Sequence, residues 1–380
     1  MDLEMADSEE ELNEVGVALH GDVLEIIFSH VPLHLLLPAC LVSKSWNAAV
    51  FSSLRRLFKP KPWLLVHTQS IHRPHCTAAF AYDPRSDIWL RINQKLPPEH
   101  VSALSSASST LLYALNPSRF SFSIDPLHLT WYHANPPSVW RVDPIVAVAG
   151  ERIVVAGGAW EFEDDPLAVE IYDISTRTWE RTESMPATLK DSAASTWLSV
   201  AANTKTIFMT EQMSGVTHSF NPDSKTWCGP FDLRPDRNIY FSVIAFHGSS
   251  LIMLALLGDT GNTTDVKVWE LTGESLEFSK EIGVMPEELK EKLKGEDTGF
   301  SSIRVNSIAG FFYIYNPGEP RELVVLEIGD EGRCWWGSVK NTAVSNRNRV
   351  AERVVLMCSD VGLGDIGRAV ASGNEIVTLK

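Results

Sequence analysis

Four stretches of this 380-residue chain carry residue types that could do chemistry or bind a partner. Gly362-Leu363-Gly364-Asp365-Ile366-Gly367 spells the glycine pattern with which a strand-to-helix turn approaches a dinucleotide pyrophosphate. That use needs a following helix, a second strand and an acidic residue about 20 positions on, and only residues 368–380 follow, so these glycines read as a terminal loop. His67, His72, His75 and Cys76 put imidazole and thiol together, a ligand set for zinc. Their spacing is that of neither a finger nor a ribbon and no second cluster follows, so they read as loop and core residues, and no metal or other cofactor is expected. Trp160-Glu161-Phe162-Glu163-Asp164-Asp165 sets two aromatics among acids, the composition of a protein-binding hot spot ringed by charge. Met285 to Gly295 reads as a Pro-started, Gly-ended helix in which Leu289 and Leu293 are four apart, so that one face would dock and the other stay wet. No nucleophile elbow and no phosphate loop is present, and no catalytic residue is singled out.

Charge and composition narrow the class of partner. The net charge of −15 disfavours an electrostatic nucleic-acid binder. An acidic balance suits partners with a basic contact surface. The longest apolar run, Leu251 to Leu257, is far short of the roughly 20 residues a membrane helix needs, so no membrane partner is expected. Residues 1–16 hold Asp2, Glu4, Asp7, Glu9, Glu10, Glu11 and Glu14 without Lys or Arg, which reads as a solvated, disordered acidic tail and not as a targeting peptide. Five scattered cysteines suit a reducing compartment, and the expected location is cytoplasmic, nuclear or both.

The elements that must position any binding loop are repeated. Asp83 is followed six residues later by Trp89, Asp125 by Trp131, Asp173 by Trp179 and Asn221 by Trp227, with steps of 42, 48 and 48 between the tryptophans. Glu270 with Phe278 and Glu327 with Trp335 read as two degenerate copies, making six units. Each unit is a strand, a polar turn and a strand opening on an aromatic residue, which is an antiparallel hairpin with the aromatic packed in the core. Arg152 to Ala156 reads as a short apolar strand ending at Gly157-Gly158, where missing side chains let a neighbour approach closely. Units of this length fit four-stranded blades round an axis, a mainly β fold over residues 63–360. The strand Glu352 to Cys358 is expected to complete the first blade and so close the ring. Links after the second strand of each unit (Asn116–Arg119, Ala159–Pro166, Glu211–Gly215, Gly258–Thr264 and Asn316–Pro320) are the expected carriers of target selection.

Residues 17–57 are of another kind. Val23, Ile26, Ile27 and Val31 form an amphipathic helical stripe with Asp22 at its start and Pro32 at its end. Further short helices follow through Trp46, and so small an apolar segment wants a partner. A basic, Pro-bearing linker, residues 58–62, joins it to the propeller, and residues 361–380 read as a C-terminal tail.

Taken together, Leu19, Asp22-Val23-Leu24, Ile26-Ile27, Val31-Pro32, Leu36-Leu37 and Val42-Ser43-Lys44-Ser45-Trp46 resemble the F-box, and the six units with Gly157-Gly158 resemble kelch repeats. The whole is similar to plant kelch-type F-box proteins: a six-bladed kelch-type β-propeller preceded by a small helical F-box domain. It departs from the F-box pattern at Leu19-His20, where Leu-Pro is usual, and at Pro38, which falls inside what is normally helix. The resemblance implies a non-catalytic substrate receptor of a Skp–cullin–F-box ubiquitin ligase, with Leu19, Val23, Ile26, Ile27, Val31, Pro32, Val42 and Trp46 facing the Skp-type adaptor. Trp160, Glu161, Phe162, Glu163, Asp164, Leu289 and Leu293 are the expected target-binding residues. Some relatives of this type direct turnover of phenylpropanoid and flavonoid enzymes such as chalcone synthase, which makes such an enzyme a candidate target. The competing readings are a ligase-independent kelch scaffold and a propeller enzyme, in both of which the helical stripe would be buried within the chain.

Overall fold

The computed structural model describes residues 21–56, 61–94, 102–107, 109–159, 165–273, 275–294, 300–329, 332–344 and 352–379. The acidic tail, Leu19 and Trp160 to Asp164 lie outside the described residues. The chain forms two compact units, Met1–Pro60 and Lys61–Lys380.

The first unit is helical: α1 (Gly21–Ser29), a 3-10 turn at Leu33–Leu35, α2 (Leu36–Cys40) and α3 (Lys44–Arg56). Asp22 places its charge in the first turn of α1, where the exposed amides favour an anion. Pro38 stands third in α2, within the first turn, where its missing N–H costs no helical hydrogen bond. Ser43 caps α3, its hydroxyl accepting from the Trp46 amide at 3.2 Å.

The second unit is built of six antiparallel blades. Blade one holds β1 (Trp63–Ser70), β2 (Thr77–Asp83) and β3 (Ile88–Asn93). Blade two holds β4 (Leu104–Ala107), β5 (Leu111–Asn116), β6 (Arg119–Ser123) and β7 (Tyr132–Ala134). Blade three holds β8 (Ile145–Ala149), β9 (Arg152–Ala156), β10 (Val169–Asp173) and β11 (Thr178–Thr182). Blade four holds β12 (Leu198–Ala202), β13 (Ile207–Glu211), β14 (Val216–Asn221) and β15 (Thr226–Asp232). Blade five holds β16 (Ile239–His247), β17 (Ser250–Asp259), β18 (Asn262–Thr272) and β19 (Phe278–Val284), followed by α4 (Glu287–Lys294). Blade six holds β20 (Arg304–Ile308), β21 (Phe311–Tyr315), β22 (Glu322–Ile328) and β23 (Cys334–Lys340).

The ring closes as the sequence predicts. β24 (Glu352–Ser359) pairs antiparallel with β1, Val66 opposite Leu356, and becomes the inner strand of blade one. The inner strands β24, β4, β8, β12, β16 and β20 touch in cyclic order, so no inner strand is left without a neighbour on either side. Apolar clusters lie between consecutive blades. Phe120 and Phe122 of blade two pack with Ile153, Val155 and Tyr172 of blade three, and Leu254 and Val268 of blade five pack with Ile314 and Val324 of blade six.

The recurrent spacing has a local cause. In blades one, three and four the Asp or Asn ends the third strand counted from the axis, a four-residue loop follows, and its last residue (Asp87, Arg177, Lys225) is left-handed. The Asp173 carboxylate accepts from the amides of Ser175 and Thr176 at 2.9 Å each, and Asn221 accepts from those of Asp223 and Ser224 at 2.9 and 3.1 Å. The outer strand then returns with Trp89, Trp179 and Trp227 opposite Tyr82, Tyr172 and Phe220, ring centroids 5.3, 5.2 and 4.7 Å apart.

The other three units differ from expectation by register. In blade two Phe122 faces Tyr132 at 5.5 Å, so Tyr132 and not Trp131 holds the equivalent place. In blade six Trp336 lies opposite Leu326 and packs on the core, whereas Trp335 is exposed. Phe278 is 65% exposed at the rim of blade five, where the buried aromatic is Trp269 on the facing strand. Residues 361–380, read as a tail from the sequence, instead form α5 (Leu363–Ala371) and β25 (Glu375–Thr378). Leu363, Ile366 and Ala369 of α5 are buried, and β25 pairs with β3 as a fifth strand that covers the outer edge of blade one.

Candidate partner-binding surfaces

Within the helical unit two apolar faces compete for α1. Leu24 and Phe28, four apart, are buried with Ala49, Val50 and Ser53 of α3, and the Phe28 ring meets Trp46 edge-on at 5.3 Å. That uses the internal face. Val23, Ile26 and Ile27, on the rest of the same helix, stay between 43% and 55% exposed. Val42 is 61% exposed, while Val31, Pro32 and Trp46 are half-buried, Trp46 being partly spent inside the unit against Phe28. Leu35, Leu41 and Phe51 extend the exposed set and were not singled out from the sequence, although Leu35 and Leu41 stand beside residues that were. Seven large apolar side chains open to water on 36 described residues mark an interaction surface.

In the propeller, all six inner strands run the same way and line an axial cavity of about 530 Å³. Where these strands begin, the wall carries Arg304, Arg353 and Asp143, with Ser195 and Gln212 beside them. In an up-and-down blade the links between second and third strands lie at this same end, so the loops expected to select a target ring this mouth. Tyr113 and Tyr315 form part of the wall; burial raises both phenols, Tyr113 to about 12, so they are neutral donors.

Blade three holds the mouth rigid. Gly157 and Gly158 are both left-handed, and a Cβ on Gly158 would stand 2.2 Å from the Asp143 carbonyl oxygen, one on Gly157 2.4 Å from that of Ala193. The double glycine thus admits backbone, as the sequence predicts for a close approach. Arg141 donates to the Gly157 carbonyl at 2.6 Å and to Glu170 at 3.1 Å. Glu170 also accepts from the Ser138 amide and hydroxyl, both at 2.6 Å. Burial pushes the Glu170 carboxyl up, but the Ser138 and Arg141 donors outweigh it and hold the group below the usual carboxylate range. Asp143 is taken up by the hydroxyls of Ser195 and Thr196 and by the Thr196 amide at 2.9 Å.

Of the expected target residues, Trp160, Glu161, Phe162, Glu163 and Asp164 lie outside the described residues. Leu293 is 1% exposed in the core between blades five and six, and Leu289 packs against the same cluster. The apolar face of α4 is therefore occupied by its own propeller. Lys290 bonds the Thr264 carbonyl, and Lys292 donates to the Ser338 hydroxyl at 2.7 Å, which straps the helix down.

His67 is buried in β1, whereas His72, His75 and Cys76 are exposed in the loop after it. No group of three metal-ligating side chains converges among the described residues. Gly362 ends the short connection before α5, and Gly364 and Gly367 lie in that helix and not in a loop, but β24 and β25 on either side of it occupy opposite edges of one antiparallel sheet. That topology is not the adjacent parallel pair a dinucleotide crossover requires.

Residues 19–57 match the F-box domain family. Among solved structures the chain is similar to a Bacteroides fragilis protein that carries the provisional label 6-phosphogluconolactonase, with 13% identity and a TM-score of 0.40 over 79% of this chain and 98% of that one. A likeness so loose carries no argument about activity. The chain is also similar to F-box/kelch-repeat protein At1g23390 of Arabidopsis thaliana, 45% identical over 368 residues that span 94% of this chain and 93% of the relative. At that identity over nearly the whole of both chains, the chain belongs to the F-box/kelch-repeat proteins.

Proposed function

We propose that this protein is the substrate-recognition subunit of a Skp–cullin–F-box ubiquitin ligase. The helical unit binds the Skp-type adaptor and through it the cullin, and the propeller binds a protein that is ubiquitinated and degraded. The observation that carries the reading is the exposed apolar set Val23, Ile26, Ile27 and Val42 on a unit matching the F-box. The two competing sequence readings would need that set covered within the chain. The propeller's part is recognition and not catalysis, in keeping with its family. Work in the cytoplasm or nucleus is supported by the five cysteines, all of them free thiols. A phenylpropanoid or flavonoid enzyme such as chalcone synthase is a target worth including in the test, because similar plant proteins act on such enzymes.

The test is an affinity capture from plant extract with the intact chain and with residues 1–57 removed, read by mass spectrometry. Adaptor and cullin should be present with the intact chain and absent after truncation, while a second set, the targets, persists. Capture of no adaptor by the intact chain would overturn the reading.

A further inference from the structure

Arg304 and Arg353 occupy matching places, each near the start of an inner strand and each followed by Val, on β20 and β24, which are neighbours in the ring. Both are exposed and both line the axial cavity. Among the described residues neither guanidinium has an ion pair or hydrogen bond. The wall beneath them is fixed: Asn306 on β20 donates to the Leu356 carbonyl on β24 at 3.1 Å. Asp143, the one acid among the described lining residues, belongs to blade three, across the ring from Arg304, and its oxygens are already held by Ser195 and Thr196. The mouth is therefore polarised, with two unpaired cations on one side and a satisfied carboxylate on the other. This stands against the acidity of the chain as a whole, from which a basic contact surface on the partner would be expected.

Guanidinium groups match phosphate and carboxylate oxygens with paired hydrogen bonds. A cleft with low-dielectric walls raises the local effect of such charges. We propose that the axial cavity receives the anionic side chain, phosphate or carboxylate, of an extended segment of the target protein, its oxygens held by Arg304 and Arg353. A peptide fits the place better than a small anion because the mouth opens among the recurrent links between second and third strands. Residues flanking the anion would lie on those links, whereas a free ion would touch none of them. The proposal rests on the reading of the propeller as the target-binding half and gives that half a chemistry.

The experiment uses the full chain and three fluorescein-labelled degenerate peptide pools with phosphoserine, glutamate or serine fixed at the centre, followed by anisotropy at low and high salt. The phosphoserine pool, the glutamate pool or both should bind at least about tenfold more tightly than the serine pool. The preference should weaken with salt and be lost in Arg304→Gln, in Arg353→Gln and in the pair, with thermal unfolding unchanged. Equal binding of all three pools, or a preference that survives the double substitution, would overturn the proposal. Inorganic phosphate competing as well as the unlabelled peptide would overturn the peptide as its source. Adaptor capture is measured on the wild-type chain alongside: no anion preference with capture intact counts against this site alone, and capture absent with anion preference intact counts against the ligase reading alone.

Discussion

Arg141 and Glu170 meet at 3.1 Å with both side chains almost wholly out of solvent, at 0% and 3% exposure. The pair joins the segment leading into β8 to β10, and its Gly157 contact ties in the double glycine. It thereby fixes the approach to the mouth on which Asp143 stands.

Breaking this pair on one side leaves a buried charge without its partner. Glu170→Leu should destabilise the propeller by about 3–5 kcal/mol. Adding Arg141→Met should recover part of that loss, since the second substitution removes the stranded charge. Urea unfolding of the single and double variants measures both values; a single variant costing under about 1 kcal/mol would mean the pair is not the support described.

Removal of residues 361–380 tests the role of α5 and β25. Burial of Leu363 and Ile366 alone is worth roughly 3 kcal/mol or more, and loss of β25 bares the edge of β3. The truncated chain should unfold at lower temperature and self-associate, which calorimetry and light scattering would detect. A dispensable tail would leave both unchanged.

His128 gives the propeller a pH dependence. It is 1% exposed, and its ring stands 5.6 Å from that of His67. Burial first, and the His67 charge second, hold it well below the usual imidazole value. A base depressed in the fold is protonated more readily in the unfolded chain. Its contribution is therefore fully present above the unfolded value, near 6.5, and is lost as pH falls through that value toward the lower folded one. Unfolding free energy should drop between about pH 7.5 and 5.5. His128→Asn, which tolerates the left-handed backbone found there, should flatten the drop. An identical pH slope in wild type and variant would contradict the assignment.

The parts of the fold legible in the sequence are those set by local chemistry. Asp173 and Trp179 declare their hairpin because an Asx-type turn, a left-handed fourth loop residue and a facing aromatic all fall within one short window. Trp131 and Trp335 misled because a shift of one residue turns a strand's side chains to the other face: Tyr132, 42% exposed, takes the place opposite Phe122, and Trp336 packs on the core. The C-terminal segment misled because β25 finds its partner in β3, far back in the chain, and Gly364 and Gly367 look like loop. Leu363, Ile366 and Ala369 nevertheless kept helical spacing that could have revealed α5. Leu289 and Leu293 were correctly placed on one helix face, but only packing decides whether such a face meets a partner or the helix's own blade. On the F-box unit the exposed Val23, Ile26 and Ile27 were legible from pattern, whereas Leu35, Leu41 and Phe51 were not, and the split of α1 into an internal pair, Leu24 and Phe28, and an external set needs α3 in place. The axial arginines gave no local signal, because they come onto neighbouring strands only when β24 closes the ring beside β20.

The central claim is that the exposed face of α1 is a docking surface for an adaptor and not core. Ile26→Asp with Ile27→Asp places two charges on positions 55% and 43% exposed. The unit itself should fold as before, its internal contacts through Leu24 and Phe28 being untouched, as circular dichroism can verify. Binding of purified Skp-type adaptor to the intact chain, measured by calorimetric titration, should then fall by at least a hundredfold, about 3 kcal/mol, as for hot-spot side chains at an interface core. Adaptor affinity unchanged in the folded double variant would contradict the account.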